Sequence, residues 1–130
     1  MIPAVAYLRV STREQAESGD SIPAQRERLR RWAQEHGYNI VREYVDAGES
    51  ARVSDRPAFS RLVQDARRAD RDFDAVLVWK WDRFARNAED AALYKAILRR
   101  ECGVQVVSIG DPPGEGAVGQ LIERILDVVA

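Results

Sequence analysis

Tyr7, Arg9 and Ser11 alternate at the end of a short apolar run, Pro3 to Val10, and a polar stretch follows at once. In an extended strand, side chains two apart point to one face, so this spacing presents a phenol, a guanidinium and a hydroxyl together. Two further segments carry the same kind of group. Residues 46–56, DAGESARVSDR, end in Arg56, and the run Lys80-Trp81-Asp82-Arg83-Phe84-Ala85-Arg86 follows a second apolar stretch. If Asp82 to Arg86 opens a helical turn, Arg83 and Arg86 are three apart and share a face. Guanidinium groups fork toward oxyanions and stay charged at any physiological pH. A serine hydroxyl among several of them suits phosphoryl transfer. The arginines would offset charge on the non-bridging oxygens, hold the phosphate in line and favour ionisation of the hydroxyl. The alternative on pattern alone is that Arg9 and Ser11 are ordinary solvated strand-end residues.

Other chemistries find less support. His36 is the only histidine and falls at a predicted helix end, far in sequence from Ser11, which argues against a Ser-His-Asp triad. Cys102, the single cysteine, excludes an internal disulfide and has no Cys or His neighbour at metal-ligand spacing. It reads as a buried apolar filler near a helix end. No carboxylate cluster suggests a metal. Asp82 fits a catalytic carboxylate and equally a helix cap or partner of Arg83 or Arg86. Trp79 and Trp81 flank Lys80, and strand alternation predicts one in the core and one at the surface rather than a pair of base-stacking rings.

The elements that must position these residues alternate between strand and helix. Pro3 to Val10 is a strand. A helix begins near Ser21, a possible cap, with Pro23 in its first turn, and Gly37 stops it. Asn39 to Val45 is a second strand, and 46–56 a polar loop. Pro57 opens a helix whose Phe59, Leu62, Val63 and Ala66 recur at helical spacing. Ala75 to Trp79 is continuously apolar, as in a central strand covered on both faces. Asn87 caps a further helix that Gly103 stops, and Val104 to Ile109 is the fourth strand. A Pro/Gly loop then leads to a last helix with an apolar stripe at Val118, Leu121, Ile122, Ile125 and Val129. This order predicts an α/β domain with a mainly parallel central sheet of about four to five strands flanked by helices. In such folds ligands gather beyond the carboxyl ends of the strands, where the three arginine-bearing segments emerge.

A chain of 130 residues holds one core. No apolar run is long enough to cross a bilayer, and no signal peptide is legible, so a cytoplasmic location is expected. The formal net charge of −1 argues mildly against tight DNA binding by this domain alone. Lys80 and Lys95 are the only lysines, and arginine supplies the rest of the positive charge. A GC-rich coding bias accounts for most surface arginines, though not for those at strand ends.

Four segments, in order, resemble the serine site-specific recombinases of the resolvase/invertase type. They are YLRVSTREQ (Tyr7 to Gln15), SIPAQRERL (Ser21 to Leu29), VSDRPAFSRL (Val53 to Leu62) and WKWDRFARN (Trp79 to Asn87). The spacer between Gln15 and Gln25 looks more like the large serine integrases and transposase-type recombinases. The resemblance implies a resolvase-like fold and Ser11 as the nucleophile. Arg9, Arg56, Arg83 and Arg86 then correspond to arginines around the scissile phosphate, Asp82 to an active-site aspartate, and Tyr7, Gln15 and Gln25 to supporting residues. It implies cleavage and rejoining of double-stranded DNA at crossover sites through a 5′-phosphoserine intermediate, in DNA integration or another recombination reaction of a bacterial, phage or mobile element. It implies no cofactor, no membrane partner, and a homodimer that synapses as a homotetramer in the full-length protein.

On this reading 1–116 are the catalytic domain and 117–130 the start of a long, truncated oligomerisation helix, with the DNA-binding domain absent. The isolated 130 residues are then expected to be inefficient at cleavage. Two other readings compete: a non-catalytic oligomerisation or regulatory fragment, and a receiver-like or small-anion-binding α/β domain, disfavoured because the acidic metal ligands of a receiver do not follow the first strand. Segments 12–20 and 47–55 are expected to be poorly ordered without DNA, with the arginines not yet gathered.

Overall fold

The structure, a computed structural model of the chain, describes residues 1–10, 21–47, 56–85 and 88–110. Strands β1 (Ile2–Val10), β2 (Tyr38–Ala47), β3 (Ala75–Val78) and β4 (Gln105–Ser108) form one sheet in the order β2-β1-β3-β4, parallel throughout. Around it stand α1 (Ile22–His36), α2 (Pro57–Ala66), the single turn α3 (Trp81–Phe84) and α4 (Ala88–Ile97). The last runs into a π-helical turn, Leu98–Cys102. This is the α/β architecture that the alternation of elements predicts.

Period-two geometry divides the core. Ala4, Ala6, Leu8 and Val10 of β1 pack with Ile22, Leu29 and Ala33 of α1. Val5 and Tyr7 point the other way, to Ala58, Phe59, Leu62 and Ala66 of α2. β3 follows suit: Ala75 and Leu77 join the α1 side, while Val76 and Val78 join the α2 side together with Leu98 and Cys102. A strand covered on both faces is apolar without alternation, which is why β1 and β3 read as continuous runs. Cys102 is buried, as expected of a filler beside a helix end.

Local chemistry sets the element ends. Ser21 Oγ accepts the Ala24 N–H at 3.3 Å, and Gly37, at φ 79°, closes α1 in the left-handed conformation. The Ile2 N–H donates to the Gly37 carbonyl at 2.9 Å, so the end of α1 adjoins the start of β1. His36 therefore belongs to the amino edge of the sheet. Arg9 lies seven residues along β1, about 23 Å away at the rise of an extended strand. That separation removes His36 as a base for chemistry at the carboxyl edge.

The structure departs from the sequence reading in three places. β2 continues through Asp46 and Ala47, which the sequence placed in a loop. Its pairing with β1 shifts between Ala4↔Ile40 and Val5↔Arg42, leaving Val41 as one extra residue, a bulge. Trp79 and Trp81 are both half-buried, neither core nor surface. Residues 12–20, 48–55 and 111–130, with the apolar stripe from Val118 to Val129, lie outside the described residues. Among the described residues no helix is long and apolar enough to cross a membrane.

Leu62 is fully buried under the α2 side of the sheet, whereas the adjacent Arg61 is exposed. Leu62→Ala is expected to destabilise the domain by about 2–5 kcal/mol. Arg61→Ala should stay within about 0.5 kcal/mol of the parent. Urea unfolding followed by far-UV circular dichroism measures both.

Candidate active site

Five charged or polar side chains are buried among the described residues: Arg9, Gln25, Asp46, Arg56 and Arg83. All belong to the carboxyl edge of the sheet. Burial of a charged group is tolerated only where it is paired and hydrogen-bonded, and each of these contacts has a clear author in the fold.

Asp46 is the acidic centre. β1 and β2 are in register with Arg9 opposite Asp46 and Tyr7 opposite Tyr44. The Tyr7 hydroxyl donates to Asp46 Oδ2 at 2.8 Å. The same carboxylate accepts the backbone N–H groups of Ala58 at 2.9 Å and Phe59 at 3.0 Å. Those amides belong to the first turn of α2, where N–H groups have no partner within the helix. Arg56, at the capping position, makes no side-chain cap there. A carboxylate from the neighbouring strand does that work and suits the positive end of the helix. Burial pushes the Tyr7 phenol far above its ordinary value of 10, with Arg56 opposing and Asp46 adding to the rise. Tyr7 therefore keeps its proton and remains a donor to Asp46.

The end of β1 is held from the other side of the sheet. Gln25 is fully buried on α1, and its Nε2 donates to the Arg9 carbonyl at 3.0 Å. That contact fixes the main chain two residues before Ser11.

The arginines meet on α3. Arg9 donates through Nε to the Arg83 carbonyl at 3.3 Å and through Nη2 to the Asp82 carbonyl. Arg56 donates through Nη1 to the Phe84 carbonyl at 2.6 Å. Its guanidinium lies over the Phe59 ring, 4.0 Å from the centroid, and 5.8 Å from that of Tyr7. Arg83 is itself buried, with Nε 3.9 Å from Oδ1 of its exposed neighbour Asp82. The expectation that the arginines are not gathered around Ser11 without DNA falls on Ser11 and Arg86, outside the described residues. Among the described residues, Arg9 and Arg56 converge on the turn of backbone that carries Arg83, because a buried guanidinium needs acceptors and the carbonyls closing a helix need donors.

One sequence inference fails here. The helical turn after β3 ends at Phe84, and Ala85 is extended at φ −150° and ψ 163°. The sharing of a helical face by Arg83 and Arg86 therefore does not follow. Ser11, Gln15 and Arg86 lie outside the described residues. The described residues bring together Tyr7, Arg9, Gln25, Arg56 and Arg83 at one edge, with Asp82 on the exposed side of the same turn. Asp46 stood in the sequence reading only as the first residue of the polar 46–56 segment. Its signal was a lone acid at a strand end two elements away from Arg9. Phe59, the platform under Arg56, carried no signal beyond its helical spacing. Among the described residues no three His, Cys, Asp or Glu side chains cluster as metal ligands.

A parallel α/β domain with guanidinium groups buried at the carboxyl edge of its central strand is the class that fold and site define. The chain belongs to the resolvase N-terminal domain family, whose model matches residues 4–130, and is a serine recombinase catalytic domain. It resembles the N-terminal catalytic domain of TP901-1 integrase, with a TM-score of 0.79 and 30% identity over 97% of this chain and 95% of that one. It also resembles a resolvase family site-specific recombinase from Streptococcus pneumoniae, with a TM-score of 0.74 and 31% identity over 98% and 87% of the two chains. A putative DNA recombinase of Bacillus subtilis (strain 168) is 31% identical over 115 residues, 88% of this chain and 22% of that protein. The chain thus spans about a fifth of the length of that relative.

The Tyr7–Asp46 contact sets two expected outcomes. Asp46→Ala strands a buried phenol and two helix amides, and should destabilise the domain by about 3 kcal/mol; Tyr7→Phe should cost about 1 kcal/mol. The Tyr7 pKa is raised on folding, so its contribution is intact below pH 10, where the phenol is neutral in both states. It is lost as pH climbs above 10, because only the unfolded chain ionises readily there. Stability measured by urea titration from pH 8 upward should fall above pH 10, and less steeply in Tyr7→Phe. A residual slope belongs to Tyr44, whose pKa is also raised by burial.

Proposed function

We propose that this domain carries the DNA strand cleavage and transfer steps of a site-specific recombinase, with Ser11 as nucleophile. The observation that favours the reading is the meeting of Arg9, Arg56 and Arg83 at the end of β1, the strand that leads directly into Ser11. Ser11 Oγ attacks the scissile phosphorus and loses its proton. The P–O3′ bond breaks, and the 3′-oxygen leaves protonated as a free hydroxyl. The product is a 5′-phosphoserine ester. Attack by a 3′-hydroxyl on that ester reverses the step and releases Ser11. The ester conserves the phosphodiester's free energy, so the cycle needs no nucleotide and no cofactor.

Arg9, Arg83 and Arg86 are the groups assigned to the phosphate oxygens, where negative charge develops. Asp82, on the exposed side of α3, orients Arg83. Tyr7, Gln15 and Gln25 support the strand end. The substrate is double-stranded DNA bearing a crossover site. In the full-length protein, homodimers bound to two sites would meet as a homotetramer. The near-neutral charge of the chain agrees with sequence recognition residing outside it, and with inefficient cleavage by the 130 residues alone.

The full-length recombinase, incubated with its crossover DNA and quenched with denaturant, should yield a covalent protein–DNA adduct at Ser11. Ser11→Ala should abolish it. Arg83→Ala should slow its formation by about 100- to 1,000-fold, the usual loss for one transition-state donor. An adduct that persists in Ser11→Ala would refute the assignment.

A further inference from the structure

α3 is four residues long. A single turn has no stability of its own, since nucleation fixes several residues for one hydrogen bond. Its internal support is thin: the Ala85 N–H bonds the Trp81 carbonyl at 3.0 Å, and the Arg83 N–H bonds the Lys80 carbonyl at 2.9 Å. Lys80, at its capping position, makes no side-chain cap. Yet this turn carries Asp82 and Arg83 and leads on to Arg86.

Its three closing carbonyls are held by two other elements. The carbonyls of Asp82, Arg83 and Phe84 are consecutive, and each accepts from a guanidinium: the first two from Arg9 of β1, the third from Arg56 at the entrance to α2. The two arginines differ in what surrounds them. Arg56 is 1% exposed. One face of its guanidinium is covered by Phe59, and Tyr7 lies close by. Phe59 in turn meets Phe84 edge-to-face, with ring centroids 5.5 Å apart. Arg56 thus grips the turn twice, through the Phe84 carbonyl and through the ring beneath it. Its Nε is buried and makes no hydrogen bond among the described residues.

We propose that Arg56 is a positioning residue that sets the place of α3, and through it the aim of Arg83, rather than a ligand of the scissile phosphate. The inference deepens the phosphoryl-transfer reading above and rests on it. A phosphate ligand must present donors to a substrate arriving from solvent. Arg56 instead gives Nη1 to a backbone carbonyl and its face to a ring, and at 1% exposure it is more enclosed than Arg9 at 5% or Arg83 at 7%. The network links three elements in series: Asp46 of β2 fixes the start of α2, α2 carries Phe59 under Arg56, and Arg56 fixes the end of α3.

Two measurements test this. The first uses the 130-residue chain by hydrogen exchange, in Arg56→Lys and Arg56→Met. Lysine keeps the charge but lacks the planar face for Phe59 and the fork for the carbonyl. Both variants should raise exchange of the Arg83 and Ala85 amides by about tenfold or more, with the β1 and β3 amides unchanged, as for a local opening. Unchanged exchange at Arg83 and Ala85 would overturn the proposal, and protected β1 amides verify that each variant is folded.

The second uses the full-length recombinase on crossover DNA carrying either a normal scissile phosphate or a neutral methylphosphonate. Removing the phosphate charge removes the need for a side chain whose role is to offset it. The cleavage deficit of Arg83→Ala should shrink on the methylphosphonate, and that of Arg56→Ala, which acts through Arg83, should shrink with it; on normal DNA, adding Arg56→Ala to Arg83→Ala should slow cleavage by less than about threefold beyond Arg83→Ala alone. DNA affinity should be unchanged in the Arg56 variants. An Arg56→Ala cost that adds in full to that of Arg83→Ala would mark an independent ligand of the phosphate and overturn the proposal. Failure of the underlying reading looks different: no Ser11-dependent adduct forms even with the parent protein on normal DNA, and the exchange measurement still decides the role of Arg56 in the fold.

Discussion

Charge buried at one edge of the sheet is the constraint from which the rest of this structure follows. Arg9, Arg56, Arg83 and Asp46 are each less than 8% exposed. An isolated ion in such surroundings costs several kcal/mol even after relaxation, and removal of one partner leaves the other uncompensated. Arg9, Arg56 and Asp46 have therefore recruited main-chain partners. The carboxylate takes helix N–H groups, and two of the guanidinium groups take helix carbonyls. Both choices use the groups that a helix end leaves unsatisfied. The polar edge and the short helices around it are consequently one cooperative assembly.

The apolar layers make that edge possible. β1 is sealed on one face by α1 and on the other by α2, so it is buried up to its last residue. Gln25 fastens the Arg9 carbonyl from α1, while Tyr7 and Asp46 fasten the α2 side. The strand end that leads into Ser11 is thereby held from both faces. Residues at the opposite edge, such as His36 stacked on Trp32 at 4.1 Å between ring centroids, take no part in it.

Aromatic rings carry the arrangement across the gap between elements. Phe59 meets Tyr7, Phe84 and Tyr94 edge-to-face, at centroid distances of 5.2–5.5 Å, and supports Arg56 on its face. One α2 side chain therefore touches β1, α3 and α4. Trp81 packs on Phe84 and lies under Lys95, while Trp79 lies under Arg28 and Lys80. Stacked cations shield both indoles, which is why neither divides cleanly into core or surface.

By itself the sequence determined the class of fold and the order of its elements, and it supplied the candidates for the reacting groups. Apolar runs at Val5 to Val10 and Ala75 to Val78 specify buried parallel strands. Ser21, Pro57 and Gly37 mark helix ends through backbone chemistry local to each. The Tyr7, Arg9, Ser11 spacing, with three later motifs, identified the family. Local rules of this kind act over a few residues and are visible in a string. What only the tertiary structure decided is who satisfies whom. No sequence rule gives the pairing of Asp46 with α2, 12 residues on, or of Arg56 with the Phe84 carbonyl 28 residues away. The arginines read as a cradle for an anion because that is what guanidinium groups suit. Desolvation at the sheet edge gives Arg9 and Arg56 a second obligation, to the carbonyls of a turn too short to stand alone. That obligation arises from burial, and burial is a property of the assembled chain.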